Sequence, residues 1–168
     1  CPIGFKNATD GSAKIAVDAV VAAQHEHTFM TVTKMGHVAI AHTRGNEDCH
    51  IILRGGKTPN FQAEAVADAC SMLGKAKLPE RVMIDFSHSN SLKQFKKQLD
   101  VCTASGSHSI FGIMIESHLV EGRQDLCDDN STLTYGQSIT DACVGWEDTE
   151  IMLKQLNDAV IARRNNKA

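Results

Sequence analysis

The 168-residue chain carries 17 basic and 20 acidic residues, and this net charge of −3 does not favour binding to nucleic acid or to an anionic membrane. No apolar run approaches the roughly 18 residues that cross a bilayer, and no signal-like segment opens the sequence. Six scattered cysteines include no C-x-x-C pair, which argues against a zinc knuckle or redox motif and favours free thiols in a reducing, cytoplasmic setting.

The first segments predict a strand, a helix and a β-hairpin. Residues 2–7 form a short strand that ends in Lys6, and residues 12–24 repeat apolar side chains at helical spacing behind Ser12, a suitable N-cap. Residues 28–43 hold two strand-like runs around a turn at Gly36, which indicates an inserted hairpin. Such insertions are often regulatory or interfacial, and an ordinary decorative hairpin fits the bare pattern equally well.

Arg54 stands at the end of the next predicted strand. Residues 50–56 read HIILRGG, three large aliphatic residues followed by the arginine and two glycines. An arginine beside a buried strand is costly unless an anion pairs with it, and the guanidinium suits phosphate or carboxylate. The alternative is an internal salt bridge to a neighbouring carboxylate. A helix is predicted to follow over residues 62–77.

Two further strands end in side chains of the kind that bind metals. Residues 81–86, RVMIDF, form an apolar, branched run that delivers His88 just beyond its end. Residues 109–119, SIFGIMIESHL, predict another strand that ends in Glu116. Either residue alone is adequately explained as a strand cap that hydrogen-bonds to a loop. Together they favour a site.

The remaining segments complete the pattern. A helix is predicted over residues 91–102, with a solvated face of lysines at 93, 96 and 97, and the last helix over residues 147–164. The connection at residues 120–146 is too long for a simple tether and carries polar groups back towards the strand ends.

Strand and helix thus alternate four times, which predicts a parallel sheet equal to half of an eight-stranded barrel. Barrel sites lie at the carboxyl ends of the strands. We therefore interpret Lys6 and Arg54 as an anion clamp, and His88 and Glu116 as metal ligands.

Five motifs, in this order, resemble the C-terminal half of type I 3-deoxy-D-arabino-heptulosonate 7-phosphate (DAHP) synthases: GFKNATDG, HIILRGG, MIDFSHSNS, MIESHLVEGRQ and YGQSITDACVGWEDTE. The resemblance covers nearly the whole chain. It implies an α/β fold, the C-terminal half of a TIM (β/α)8 barrel, with four βα units and an inserted β-hairpin. Residues 1–168 would then be a single partial domain, and we expect an N-terminal truncation because the sequence starts within a strand and without Met.

The same resemblance implies a transferase that catalyses the first step of the shikimate pathway to aromatic amino acids. Such synthases are cytoplasmic and condense phosphoenolpyruvate with D-erythrose 4-phosphate, releasing phosphate. The lysine of GFKN and the arginine of ILRGG hold phosphoenolpyruvate in the family, which assigns substrate binding to Lys6 and Arg54. Lys6 and His88 are the implied catalytic residues for proton transfer.

A divalent metal ion is the implied cofactor. The family binds it through the His of DFSH, the Glu of IES, the Asp of ITDAC and a Cys from the first barrel strand, and three of these map onto His88, Glu116 and Asp141. This mixed ligand set accepts Mn, Fe, Co or Zn. Local sequence alone would make Asp141 a helix cap, so its assignment depends on the family motif.

The hairpin resembles the one that helps to form a feedback site for an aromatic amino acid, and Phe29, Thr31 and Ala41 face that site by position. The implied partners are the two substrates, the effector and, for the full-length protein, further copies of itself. No nucleic acid or membrane partner is implied.

Several features depart from the family pattern. The first four barrel strands and the metal-binding cysteine are missing, and Cys1 does not replace that cysteine because it precedes the strand that delivers Lys6. Ala8 stands where the family usually has glycine, which would strain a turn if positive φ is needed there. The connection at residues 103–108 is shorter than usual by roughly a turn and a half of helix.

Two alternatives remain beside an inactive fragment of the synthase. One is a related enzyme such as 3-deoxy-D-manno-octulosonate 8-phosphate synthase, against which the hairpin and the YGQSITDACVGWEDTE block argue. The other is a non-catalytic half-barrel that associates with a full-length partner. A half-barrel also leaves two open sheet edges and an uncovered inner face, so we expect the chain by itself to dimerise, swap or aggregate.

Overall fold

The structure, a computed structural model, describes residues 1–104 and 108–165, without the side chains of residues 103 and 104. The shortened connection at residues 103–108 falls largely outside this part. The described elements are, in chain order, β1 (Ile3–Lys6), α1 (Lys14–Gln24), β2 (Thr28–Val32), β3 (Val38–His42), β4 (Cys49–Leu53), α2 (Ala63–Lys75), β5 (Val82–Asp85), α3 (Gln98–Ala104), β6 (Ile110–Met114), β7 (Val120–Arg123), β8 (Gln137–Ser138) and α4 (Trp146–Asn165).

A four-stranded parallel sheet organises the fold. Its strand order is β1-β4-β5-β6, so each strand lies beside the next one supplied by a strand-helix unit. This α/β arrangement follows from the sequence, because strands separated by helices must cross over and run in the same direction. All four carboxyl ends therefore meet at one edge of the sheet, as the sequence predicts.

The core lies between the sheet and its helices. The side chains of Ile51, Leu53 and Ile84 are at most 1% exposed, and they alternate with residues on the other face of the sheet. Complete burial of such a side chain contributes about 1.5–3 kcal/mol. Helices α1 and α2 bring their buried faces to this cluster, including Ala16, Val17, Val20, Val66, Ala69, Cys70 and Leu73.

Three local predictions are wrong in their boundaries. Helix α1 has Ala13 at its N-cap position and no side-chain cap bond, so Ser12 does not cap it. The helix predicted over residues 91–102 begins only with a 3₁₀ turn at Phe95–Lys97, because Leu92 and Lys93 adopt φ values of 53° and 58° that no α-helix accommodates. Strand β6 ends at Met114, so Glu116 lies in the loop that follows it.

The predicted hairpin is confirmed. Strands β2 and β3 pair antiparallel with Val32 opposite Val38, and Gly36 in the connecting turn has a φ of 80°, which glycine adopts without strain. Ala8, by contrast, is absent from the non-glycine residues that have positive φ in the described chain. Alanine is therefore compatible with that turn.

Residues 120–146 do return to the strand ends. Strands β7 and β8 form a small parallel sheet, and Val144 bridges to Ser117 just after β6. The backbone amide of Val144 donates to the carbonyl oxygen of Glu116 at 3.0 Å, which fixes the preceding residues near the end of β6.

All six cysteines are free thiols. None of the described helices is both long and apolar enough for a membrane span.

Candidate metal and anion site

His88, Glu116 and Asp141 converge at the carboxyl edge of the parallel sheet. One potential ligand atom from each side chain lies within 4.8 Å of the other two, and Nε2 of His88 is 3.7 Å from Oε1 of Glu116. His88 follows β5, Glu116 follows β6, and Asp141 arrives on the long connection after β8. His88 and Glu116 are half-buried and Asp141 is exposed. The three predicted ligands thus form a single cluster.

Asp85 lies behind the imidazole of His88. Its side chain is fully buried, and its Oδ2 is 2.8 Å from Nδ1 of His88. The buried Nδ1 has no partner with regular hydrogen-bond geometry, so the two atoms are in close contact without a well-aligned hydrogen bond. Nδ1 therefore faces a carboxylate while Nε2 faces Glu116. This is the usual setting of a metal-binding histidine, whose second nitrogen is oriented by a carboxylate.

Ser87 and Gln98 hold Glu116 in place. The Ser87 hydroxyl donates to Oε2 of Glu116 at 2.9 Å, while the other oxygen, Oε1, approaches His88. Gln98, fully buried on α3, accepts from the Glu116 amide at 2.9 Å and donates to its carbonyl oxygen at 3.1 Å. The main chain and one carboxylate oxygen of Glu116 are thereby fixed.

Arg54 borders the same cavity, which measures about 360 Å³. Its Nε is buried and has no hydrogen-bond partner, and no carboxylate in the described part of the chain lies within ion-pair distance of its guanidinium. The internal salt bridge considered from the sequence is therefore not formed there. The described residues that line the cavity are Arg54, Ser87, His88, Lys93, Phe95, Glu116, Asp141 and Ala142.

Lys6 lies beside this group and is held by Asp85. Its Nζ donates to Oδ2 of Asp85 at 2.8 Å, and its side chain is 34% exposed. Lys6 and His88 thus meet at the same carboxylate oxygen. Lys6 does not belong to the cavity lining. Unlike Arg54, it has an internal carboxylate as its partner.

The donor set fits a divalent metal ion. An imidazole nitrogen and two carboxylates suit first-row transition metals, and two ligands of one ion are about 3–4 Å apart when each bond is about 2.1 Å long. The separations in the cluster, all within 4.8 Å, are close to that value. The exposed position of Asp141 leaves its side chain free to close on an ion. It does not cap a helix, since it lies in the connection before α4.

Residues 1–154 match the sequence profile of the DAHP synthetase I family. The chain belongs to this family. It is 61% identical to a phospho-2-dehydro-3-deoxyheptonate aldolase of Haemophilus influenzae and 59% identical to the Phe-sensitive aldolase of that name from Escherichia coli K12, in each case over 98% of the chain. It is 50% identical to the Trp-sensitive aldolase of E. coli K12 over 97% of the chain.

A solved structure of a DAHP synthetase I relative agrees with the fold. The phospho-2-dehydro-3-deoxyheptonate aldolase of Francisella tularensis SCHU S4 superposes with a TM-score of 0.91 at 48% sequence identity, covering 97% of this chain and 49% of that one. The chain spans about half the length of the curated relatives it matches, 47% and 48% for the enzymes from H. influenzae and E. coli.

Sequence reasoning places Asp85 and Ser87 at the end of the strand before His88, but it gave no supporting role to several residues that shape the site of this family member. Asp85, Ser87 and Gln98 support the predicted ligands, and Lys93, assigned to a solvated face, lines the cavity. For Gln98 the sequence offered one signal: this polar residue is adjacent to Leu99, an apolar residue of the predicted amphipathic helix. Nothing in the spacing of Lys93 revealed its position.

The proposed effector residues form a separate group on the hairpin. Phe29 pairs directly with Ala41, and Thr31, two residues along β2, projects to the same face as Phe29. The three therefore share one face of the hairpin. No hairpin residue lines the metal and anion cavity, so any feedback exerted there acts over a distance.

Proposed function

We propose that the chain is the C-terminal half of a (β/α)8-barrel DAHP synthase and that the complete enzyme condenses phosphoenolpyruvate with D-erythrose 4-phosphate, releasing phosphate. One observation carries the proposal: the cluster of His88, Glu116 and Asp141 shares a cavity with Arg54, whose buried Nε has no partner. A cation site and an anion-binding group are thus side by side at the carboxyl edge of a parallel sheet, where barrel enzymes carry out catalysis.

His88, Glu116 and Asp141 are the residues that would hold a divalent ion, of which Mn, Fe, Co and Zn suit the donor set. Such an ion supplies Lewis-acid polarisation of a carbonyl oxygen. The protein contributes the orientation: Asp85 faces the second nitrogen of His88, and Ser87 binds the carboxylate of Glu116.

Arg54 is proposed to bind the phosphate or carboxylate of phosphoenolpyruvate. Its guanidinium presents several donors in a fixed plane, and a buried donor without a partner favours an incoming anion. Lys6 adds positive charge nearby while Asp85 fixes its position. We assign proton transfer during water addition and phosphate loss to Lys6 and His88, the two titratable groups that meet at Asp85.

The four βα units are proposed as half of a closed barrel. Among the described strands of the main sheet, β1 and β6 are each paired on one side only, which is where the other four strands would join.

The full-length protein is proposed to be a homo-oligomer in the cytoplasm. An aromatic amino acid is proposed as the feedback effector, since relatives from E. coli are named Phe-sensitive and Trp-sensitive, with Phe29, Thr31 and Ala41 at its site.

The test uses a chimera in which residues 1–168 follow the preceding half of the Phe-sensitive E. coli relative. We expect phosphate release from phosphoenolpyruvate that requires both Mn²⁺ and erythrose 4-phosphate. The variant His88→Ala should lose turnover and bound metal together, whereas His25→Ala, an exposed histidine at the end of α1, should retain both.

Three outcomes would count against this proposal. Retained activity with normal metal content in His88→Ala would refute the ligand assignment. A requirement for arabinose 5-phosphate instead of erythrose 4-phosphate would indicate the octulosonate synthase. A folded chimera that binds a full-length partner without any turnover would indicate a non-catalytic half-barrel.

A further inference from the structure

Three asparagines connect the loops that follow β1, β4 and β5, and we call them the asparagine network: Asn7, Asn60 and Asn90. Asn60 links the other two, to Asn7 through its side chain and to Asn90 through its backbone. Its side-chain Nδ2 donates to Oδ1 of Asn7 at 3.2 Å, and its backbone N–H donates to Oδ1 of Asn90 at 2.8 Å. Asn7 and Asn90 are each 3% exposed, so their side chains are largely shielded from water, and both bonds to Asn60 are part-buried.

At one end the network holds the main chain that carries Arg54. Oδ1 of Asn7 accepts from the Arg54 amide at 2.7 Å, and its Nδ2 donates to the Gly55 carbonyl oxygen at 2.9 Å. Oδ1 of Asn60 accepts from the Gly55 amide at 2.7 Å. Side-chain amides thus fix both polar groups of Gly55, whose φ of 76° turns the chain directly after the arginine.

At the other end the network holds the strand that leads to His88. Nδ2 of Asn90 donates to the carbonyl oxygen of Leu53 at 3.1 Å and to that of Asp85 at 2.8 Å, joining the ends of β4 and β5. Asp85 in turn lies against His88. His88 has a φ of 53°, which is unfavourable for a residue other than glycine and persists only where the surroundings enforce it.

We propose that the asparagine network positions the anion-binding Arg54 and the metal-binding His88 relative to each other, with Asn60 as the connecting residue. None of the three asparagines is among the residues that line this cavity, which favours a positioning role through Arg54 and His88. Neutral amides bridge the loops without adding charge that would compete with a bound anion or cation. The inference rests on the proposed function, because it assumes that these two residues bind ligands of one reaction.

A positioning role is distinguishable from a purely structural one. Loss of buried hydrogen bonds lowers stability wherever it occurs. Only displacement of Arg54 and His88 weakens the binding of an anion and a metal ion at once, in a protein that remains folded. Displacements near 1 Å reduce turnover by about 100-fold, and loss of residues that orient metal ligands reduces metal affinity by about 10- to 100-fold.

The experiment compares Asn60→Ala with Asn46→Ala in the chimera. Asn46 is a matched control at the opposite end of the sheet, where it accepts from the Asp48 amide at 3.0 Å and donates to the Cys1 carbonyl oxygen at 2.8 Å. We would measure Kd for Mn²⁺ alone, Kd for phosphoenolpyruvate alone, kcat, KM and Tm. Asn60→Ala removes the side-chain bonds to Gly55 and Asn7, and without them the loop no longer holds the Asn60 backbone N–H against Asn90. We therefore expect both Kd values to rise about tenfold or more and kcat to fall about 100-fold, with wild-type values for Asn46→Ala.

A second variant covers the case in which Asn60→Ala does not fold. Asn60→Gln keeps a neutral amide but displaces it by one methylene, which weakens the bonds to Gly55 and Asn7, so intermediate effects on both Kd values are expected. If the Asn60 variants lower Tm but bind both ligands as the wild type does, the positioning role is overturned. If the unsubstituted chimera shows no turnover, the proposed function fails, while the two Kd values still decide whether Asn60 couples the sites.

Discussion

Oδ2 of Asp85 lies 2.8 Å from Nδ1 of His88, and the aspartate is completely buried. The imidazole is therefore presented to the cavity through Nε2, with a negative charge behind it. This relationship makes the orientation of His88 depend on a residue that itself lies outside the cavity lining.

Replacing this carboxylate should weaken metal binding. In the chimera, Asp85→Asn keeps the size of the side chain but removes its charge, so we expect Mn²⁺ affinity to fall about 10- to 100-fold. Isothermal titration with Mn²⁺ measures the change. Asp18→Asn, at an exposed aspartate that pairs with Lys14 on α1, should have no effect on metal binding. An unchanged Kd in Asp85→Asn would show that His88 does not need this carboxylate.

Arg54 is expected to require its guanidinium. Arg54→Lys retains the positive charge but loses the buried Nε donor and the planar arrangement of the group, so KM for phosphoenolpyruvate should rise at least about tenfold. Steady-state kinetics of the chimera with saturating erythrose 4-phosphate tests this. Arg44→Lys, on an exposed loop, is the control. Equal KM values in the two variants would mean that charge alone suffices at residue 54.

Gln98 should matter chiefly for stability. Gln98→Ala leaves the backbone amide of Glu116 without its partner, whereas the Glu116 carbonyl oxygen keeps the bond from the Val144 amide, and an unpaired buried group costs about 1–3 kcal/mol. We expect the free energy of unfolding to fall by about 1–3 kcal/mol in urea titrations. Gln155→Ala, at an exposed position of α4, should change it by no more than about 0.5 kcal/mol. A loss no greater than that of the control would contradict the buried role.

The hairpin offers a test of feedback that spares the reaction itself. Phe29→Ala removes a ring that is 49% exposed and lies opposite Ala41, so inhibition by phenylalanine or by another aromatic amino acid should weaken at unchanged uninhibited rate. Met30→Ala is the matched control, because Met30 is adjacent on β2 and projects to the other face. Dose-response curves for the three aromatic amino acids would reveal the effector. Equal inhibition of Phe29→Ala and the unsubstituted chimera would remove Phe29 from the site.

Much of the residue cluster could be predicted because its members follow strands with strong apolar patterns. The branched runs that end before Arg54, His88 and Glu116 fold as parallel strands, and parallel strands place their carboxyl ends together. Asp141 was different, since nothing local marks it as a ligand. Its position depends on pairing between residues far apart in the chain, such as the bridge between Ser117 and Val144.

The sequence by itself determined the alternation of strands and helices, the inserted hairpin and the family, because these depend on short-range periodicity and on contiguous motifs. Only the tertiary structure decided which polar groups meet. The sharing of Asp85 by Lys6 and His88, and the bridging of three loops by Asn60, join residues up to 79 positions apart. Hydrogen bonds of this kind depend on distances and directions between separate elements, and the spacing of residues along one element does not contain that information.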